Sequence, residues 1–156
     1  MEMMVDERHY MHMAYQEALK ALDEGEVPIG AVIVRNGRVV GRGYNRVESL
    51  ADATAHAEII AMSAASASVE SWRLNDCRIY VTLEPCLMCL GALLQARIGT
   101  IVYGATDSRL GAIRSHRYRE VAEGVYTRFP EIIEGVLADE CRELIQTFFR
   151  RLRKKN

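Results

Sequence analysis

Apolar residues recur along this chain in two rhythms, and the switches between them mark its elements. From Asp6 to about Glu24, Met11, Ala14, Tyr15, Ala18 and Leu22 keep the three-to-four spacing of one buried helix face. Gly25 then supplies a stop. Gly30–Arg35 (GAVIVR) is a β-branched run, Asn36-Gly37 is a two-residue hairpin signal, and Arg38–Tyr44 returns as a second strand. Thr54 is placed to cap a helix from about Ala55 to Ala67. Arg78–Leu83 (RIYVTL) reads as a strand, and Pro85 suits the first position of a helix running to about Gln95. Thr100–Tyr103 (TIVY) is another short strand. A weak strand is expected at Ile132–Glu134, and a long closing helix from Asp139 to about Lys154.

Strands that alternate with helices predict an α/β sheet with parallel neighbours, to which the hairpin adds an antiparallel pair. In such sheets the useful cleft lies beyond the carboxyl ends of the strands. No repeat or linker interrupts the pattern, and 156 residues fit one domain, 1–156. The chain is 49% hydrophobic and 26% charged, the balance of an ordinary globule. It contains no run of 18 apolar residues, so no membrane-spanning helix is expected. Asp6, Glu7 and Glu17 break up the first twenty residues, which excludes a secretory leader from the expectation.

Charge changes the picture more than composition does. The net charge is only −1, but Arg109–Arg119 holds four Arg, His116 and no acid, while Arg142–Asn156 holds six basic residues against Glu143. Those stretches carry +4 and +5, leaving −10 on the rest. Such segregation fits a phosphate-binding patch, although a solvated loop and a charged helix face would look alike. Phe148-Phe149 could lie in the core or stack near RNA; its helical position favours the core. Of four cysteines, Cys77 and Cys141 lie in apolar surroundings and read as small core residues. Cys86 and Cys89 stand as C-x-x-C, which in a chain without a leader means metal or redox chemistry in a reducing compartment, hence a cytoplasmic location.

The chemistry concentrates in His56-Ala57-Glu58 and Pro85-Cys86-Leu87-Met88-Cys89. Cys86 and Cys89, three apart at a helix start, share a face and gain thiolate character from the helix N-terminus. Two thiolates and one neutral imidazole balance a divalent zinc ion and leave one tetrahedral vertex open for water, the arrangement of a catalytic site. His9 and His12 fall on the first helix and His116 in the basic loop, so His56 is the candidate third ligand. Glu58, two residues on, stands at the edge of the apolar run Ile59–Met62, where a carboxylate is costly without a task. Residues two apart cannot ligate one ion in mid-helix. At a first turn one can ligate while the other reaches the bound water.

The spacing H-x-E, then 26 intervening residues, then P-C-x-x-C is the signature of zinc nucleobase deaminases. The sequence resembles the cytidine deaminase superfamily, and more closely the bacterial tRNA-specific adenosine deaminases. The carrying stretches are Val27–Val32, Gly43-Tyr44-Asn45, Thr54–Glu58, Tyr80–Cys89, Arg97-Ile98-Gly99 through Tyr103-Gly104-Ala105, and Gly135–Cys141, nearly the whole chain. The resemblance implies a three-layer α-β-α fold with a mixed five-stranded sheet flanked by helices. It implies one zinc per subunit on His56, Cys86 and Cys89, with Glu58 as the proton shuttle. Asn45 would hydrogen-bond the base, the Ala57 N–H would touch the edge under attack, Val27 and Pro28 would wall the pocket, and Asp107 would lie near the nucleotide backbone. Asn45, following a strand, could equally cap a turn. The implied partners are a tRNA anticodon stem-loop and a second copy of the chain. The implied activity is hydrolytic conversion of the wobble adenosine (position 34) to inosine.

The chain departs from that pattern between Gly111 and Glu134, where Ala112–Arg119 and Tyr126-Thr127-Arg128-Phe129 replace the usual Asn-His-Arg-like cluster, and at Asp52-Ala53-Thr54, where Asp-Pro-Thr is usual. Two rivals therefore stand beside the tRNA reading: a zinc deaminase of a free base or nucleoside, and a non-catalytic RNA-binding zinc subunit.

Overall fold

In the computed structural model, which describes residues 6–126 and 128–155, eleven elements follow in the order α1 (Glu7–Asp23), β1 (Gly30–Arg35), β2 (Arg38–Tyr44), α2 (Val47–Leu50), α3 (Ala57–Val69), β3 (Cys77–Leu83), α4 (Leu87–Gln95), β4 (Thr100–Ala105), α5 (Arg119–Val125), β5 (Glu131–Ile133) and α6 (Ala138–Lys155). The sheet is five-stranded and mixed, in the order β2-β1-β3-β4-β5. β1 pairs antiparallel with both β2 and β3, while β3–β4 and β4–β5 are parallel. The β1–β3 pair goes beyond the single antiparallel pair that the hairpin predicts. It arises because α3 carries the chain from edge strand β2 across β1, a crossover that returns β3 parallel to β2.

Alternation along the strands builds the three layers. Ala31, Ile33, Ile79, Val81, Ile101 and Tyr103 point to one face, where α3, α4 and Ala122 of α5 cover them. Val32, Val34, Tyr80 and Val102 point to the other, under Met11 and Ala14 of α1 and Cys141 of α6. A sheet covered on both faces needs continuous apolar strands, which is why GAVIVR and RIYVTL show no polar alternation. Cys77 and Cys141 are core residues, as their surroundings predict. The Asn36-Gly37 turn has both residues at positive φ, as a hairpin of this hand requires.

Two helix starts differ from expectation, and both differences shape the cleft. Thr54 does not cap α3. The Asp52 carboxylate accepts the Thr54 N–H (2.8 Å) and hydroxyl (2.7 Å), so Thr54 is spent in a turn. His56, extended at φ −78°, ψ 153°, stands at the cap position instead, and its ring makes no cap bond. Pro85 likewise lies two residues before the first residue of α4. Cys86 is held extended by a β-bridge to Gly111, which delays the helix to Leu87. The short helices α2 and α5 have no counterpart in the periodicity, each being too brief to show an apolar face. Close approach of α3 to β2 depends on Gly43. A Cβ there would sit 2.4 Å from the Ala57 carbonyl oxygen and 2.7 Å from the Ala61 nitrogen.

Candidate metal centre and cleft

His56 and Cys86 end the extended segments that enter α3 and α4, and Cys89 lies one turn into α4. This places all three beyond the carboxyl ends of β2 and β3. The His56 Nδ1 atom is 3.6 Å from Cys86 Sγ and 3.5 Å from Cys89 Sγ, and the three donor atoms lie within 4.8 Å of one another. With metal–nitrogen bonds of about 2.0 Å and metal–sulfur bonds of about 2.3 Å, a tetrahedral zinc needs nitrogen and sulfur about 3.5 Å apart. The residues fit the ion, and they form a possible metal site of one imidazole and two sulfurs.

The electrostatics favour the same assignment. Hydrogen bonds from Cys89 and His56 hold the Cys86 thiol down to about 4, although burial opposes them. Cys89 is pushed the other way by its bond to that thiolate, so the sulfur pair shares a proton that a cation would displace. His56 is raised by the same Cys86 sulfur. Glu58 stands outside the donor group, is 4% exposed, and is pushed by burial up to about 7. A carboxyl that is neither a ligand nor solvated, poised near neutrality on a cavity wall, is suited to exchanging protons.

That cavity has a volume of about 710 Å³. Its floor is His56, Ala57 and Glu58; Val27, Ile29, Asn45 and Asp107 line it as well, and Ile145, Phe148 and Leu152 of α6 form one wall. Pro28 is buried and is not among the lining residues. Asn45 is 8% exposed and ties two segments together: its amide nitrogen donates to the Val27 carbonyl and its oxygen accepts the Val47 N–H, each at 3.2 Å. The turn-capping alternative is thus realised, on a residue that also faces the cavity. Phe148 and Phe149 are not core as expected. They contact each other edge to face, both line the cleft, and Phe149 is 37% exposed: the α6 stripe that packs through Cys141 and Leu144 runs on through Ile145 and Phe148 into the cleft wall.

Three features escaped the sequence. Glu84 is 2% exposed, and its carboxylate accepts the N–H groups of Asp107, Ile113, Arg114 and Ser115 and the Ser115 hydroxyl. Burial pushes Glu84 up, but those hydrogen bonds outweigh it and hold the group below the usual carboxylate range. Glu26, 1% exposed, plays the same part for α2, accepting from the Glu48 N–H and from the N–H and hydroxyl of Ser49. The cost-of-burial argument that singles out Glu58 applies equally to Glu84, wedged between RIYVTL and the C-x-x-C. The third feature is local charge pairing. Arg114 pairs with Glu134, Arg119 with Glu123, and Arg142 with Asp139, so part of the segregated positive charge is spent within the chain. Within the atypical segment, Thr127 lies outside the described residues.

The profile of the MafB19-like deaminases matches residues 5–153. The chain is 40% identical over 153 residues to the tRNA-specific adenosine deaminase of Streptococcus pyogenes (serotype M18), covering 97% of this chain and 96% of that protein. It is 47% identical over 156 residues to the chloroplastic tRNA(adenine(34)) deaminase of Arabidopsis thaliana, covering 90% of this chain but spanning only 12% of that longer protein. A solved structure from work on A-to-I editing by tRNA:A34 deaminases at the wobble position superposes with a TM-score of 0.82 at 41% identity, covering 87% of this chain and 98% of the other. The chain therefore belongs to the MafB19-like deaminase family.

Proposed function

We propose that residues 1–156 form a single catalytic domain that hydrolytically deaminates adenosine to inosine in tRNA, at the wobble position of an anticodon stem-loop. The observation that carries the reading is the meeting of the His56, Cys86 and Cys89 donors with a buried non-ligand carboxylate, Glu58, on the floor of a cavity, in a chain alike over its length to tRNA-specific adenosine deaminases. Zinc, when bound by His56, Cys86 and Cys89, supplies a Lewis acid that eases deprotonation of water. Glu58 takes one proton from the attacking water and passes it to the ring nitrogen beside C6; it then takes the second from the hydroxyl now on C6 and delivers it to the amine as the C6–N bond breaks and ammonia leaves. The Ala57 N–H and Asn45 hold the base, Val27 packs against it with Pro28 behind, and Asp107 meets the backbone next to it.

The wide cleft, with Arg109 on its wall and in no ion pair among the described residues, supports a polynucleotide over a lone base. Leu87, Met88, Leu110 and Leu50 stand exposed around the site, which supports a homodimer completing the surface across which the RNA lies. Among the described residues no helix is long and apolar enough to cross a membrane. The place of action we infer is the cytoplasm, where tRNA is substrate. Mass spectrometry of an anticodon stem-loop incubated with the purified protein tests the activity. Adenosine-to-inosine conversion at the wobble base is expected. Ammonia release from free bases alone would move the assignment to the small-molecule rival, and no release from any substrate would move it to the non-catalytic one.

A further inference from the structure

The Asp107–Ser115 segment contributes Asp107, Arg109 and Leu110 to the cleft, yet it belongs to no strand or helix. Its shape is set from beneath by one side chain. Glu84 Oε2 receives three consecutive N–H groups, from Ile113 (3.0 Å), Arg114 (2.8 Å) and Ser115 (3.0 Å), while Oε1 receives the Asp107 N–H (3.0 Å) and the Ser115 hydroxyl (2.7 Å). Consecutive amides converging on one point form an anion nest. Here the anion is the chain's own carboxylate.

Gly111 gives independent support. A Cβ on it would lie 2.3 Å from Glu84 Cδ, 2.4 Å from Oε1 and 2.5 Å from the Asp107 carbonyl oxygen. The loop is closed so tightly over the carboxylate that a methyl group does not fit. The same Gly111 bridges Cys86, so the clasp joins the rim of the cleft to the strand that delivers the metal donors.

We propose that Glu84 is a positioning residue: its carboxylate, capped by Gly111, clasps the Asp107–Ser115 segment into the shape that receives the nucleotide backbone. This rests on the RNA-deaminase reading for its substrate, though not for its structural half. Glu84 touches no substrate. It acts through the loop, and its loss is expressed in substrate capture before it is expressed in chemistry.

The test uses the metal-loaded full chain as wild type, Glu84→Gln, Gly111→Ala and the double variant. Glutamine keeps the volume but offers one acceptor oxygen and an amide donor facing backbone N–H groups. Hydrogen exchange should show protection lost at the 107–115 amides in both variants, with the strands of the sheet unchanged and metal content still one per chain. With an anticodon stem-loop as substrate, KM should rise about tenfold or more while kcat stays within about threefold. Because both substitutions open one clasp, the double variant should be no worse than the poorer single one. Loss of metal, a fall in kcat at unchanged KM, or additive effects would overturn the proposal, as would an unchanged exchange pattern. If wild type converts no stem-loop, the activity reading fails on its own, and the exchange measurement still decides the clasp. Should Gly111→Ala not fold, Ser115→Ala serves in its place, removing one of the five donors and giving a smaller shift in the same direction.

Discussion

On the floor of the cleft His56 and Glu58 stand at the start of α3, with Cys86 and Cys89 against His56 at the start of α4, where the helices' own hydrogen bonds and the packed sheet beneath hold them. Along the rim, the Asp107–Ser115 segment and the short α2 have no such ladder, and each hangs from a buried carboxylate, Glu84 or Glu26. Regular structure fixes atoms to the tolerance that chemistry demands. Side-chain clasps on irregular backbone fix only the surface around that chemistry. Damage to the floor should therefore abolish the rate, and damage to the rim should alter capture.

The largest effect is expected from removing a donor. Cys89→Ala leaves two of the three proposed donors, and Cys89 is fully buried against the core, so the site should no longer hold a metal and the fold should lose any stability a metal supplies. Inductively coupled plasma spectrometry should find less than one metal per chain, activity should be undetectable, and the melting temperature should fall. Wild type treated with a strong chelator should match it. Full activity without metal would break the floor's claim to the chemistry.

Next comes Glu58→Gln. The ligand set is intact, so metal content should equal wild type, while kcat falls by about 10³-fold or more, the upper range for losing a general acid–base group used in successive proton transfers. A KM effect alone would transfer Glu58 from floor to rim.

Gly43→Ala probes how the floor is held. The added methyl meets the backbone of α3 at Ala57 and Ala61, where neither neighbour can rotate away. Overpacking of this kind costs about 1–3 kcal/mol. A chemical-denaturation midpoint measures it, and activity should fall as well because His56 and Glu58 ride on α3. Retention of both stability and activity would mean that α3 can shift without disturbing the floor.

These positions also show what the chain reveals before folding. The floor was legible because chemistry fixes residue type and spacing: H-x-E and C-x-x-C cannot be replaced by other polar pairs, and buried strands leave continuous apolar runs whose ends are sharp. β1 matches its expected limits for that reason, and β2 starts where expected because the Asn36-Gly37 turn fixes the start of the returning strand. The rim was not legible. Glu84 and Gly111 are 27 positions apart; the apolar run before Glu84 hints that its carboxylate has a task, but its partner is set by a contact made only when the end of β3 meets the loop that follows β4. Thr54 and Pro85 misled because local capping preferences were outbid, by the Asp52 turn and by the Cys86–Gly111 bridge. Phe148 and Phe149 were read as core because periodicity shows that a face is apolar, not whether protein or a cavity covers it.

On the α2 side of the rim the comparison can be sharpened with pH. Burial raises the Glu26 carboxyl, but the bonds from Ser49 and Glu48 and the nearby Arg46 outweigh it, so the folded value lies below the reference of 4.5. The ionised form therefore favours the fold. Its contribution is complete above the unfolded value and drains away as pH falls through the folded one. Glu26→Gln should be less stable than wild type at neutral pH, and the gap in urea midpoints should close on acidification below about pH 4.5. A gap that widens in acid would reverse the sign and remove Glu26 as the clasp of α2.

The smallest effect separates the rim's free charge from its spent charge. Arg119 pairs with Glu123 and lies over the Phe129 ring at 4.8 Å, so its charge is engaged within the chain. Arg109 is exposed, lines the cleft, and makes no ion pair among the described residues. If the rim meets phosphates, Arg109→Ala should reduce the slope of log affinity against log salt by about 0.7, the single-strand value per phosphate contact, while Arg119→Ala leaves the slope unchanged. Filter binding of a stem-loop across a salt series reads both. Equal changes in the two variants would mean that the net charge of the segment matters and its pairing does not, and the rim would then act as a diffuse field, with no shaped surface.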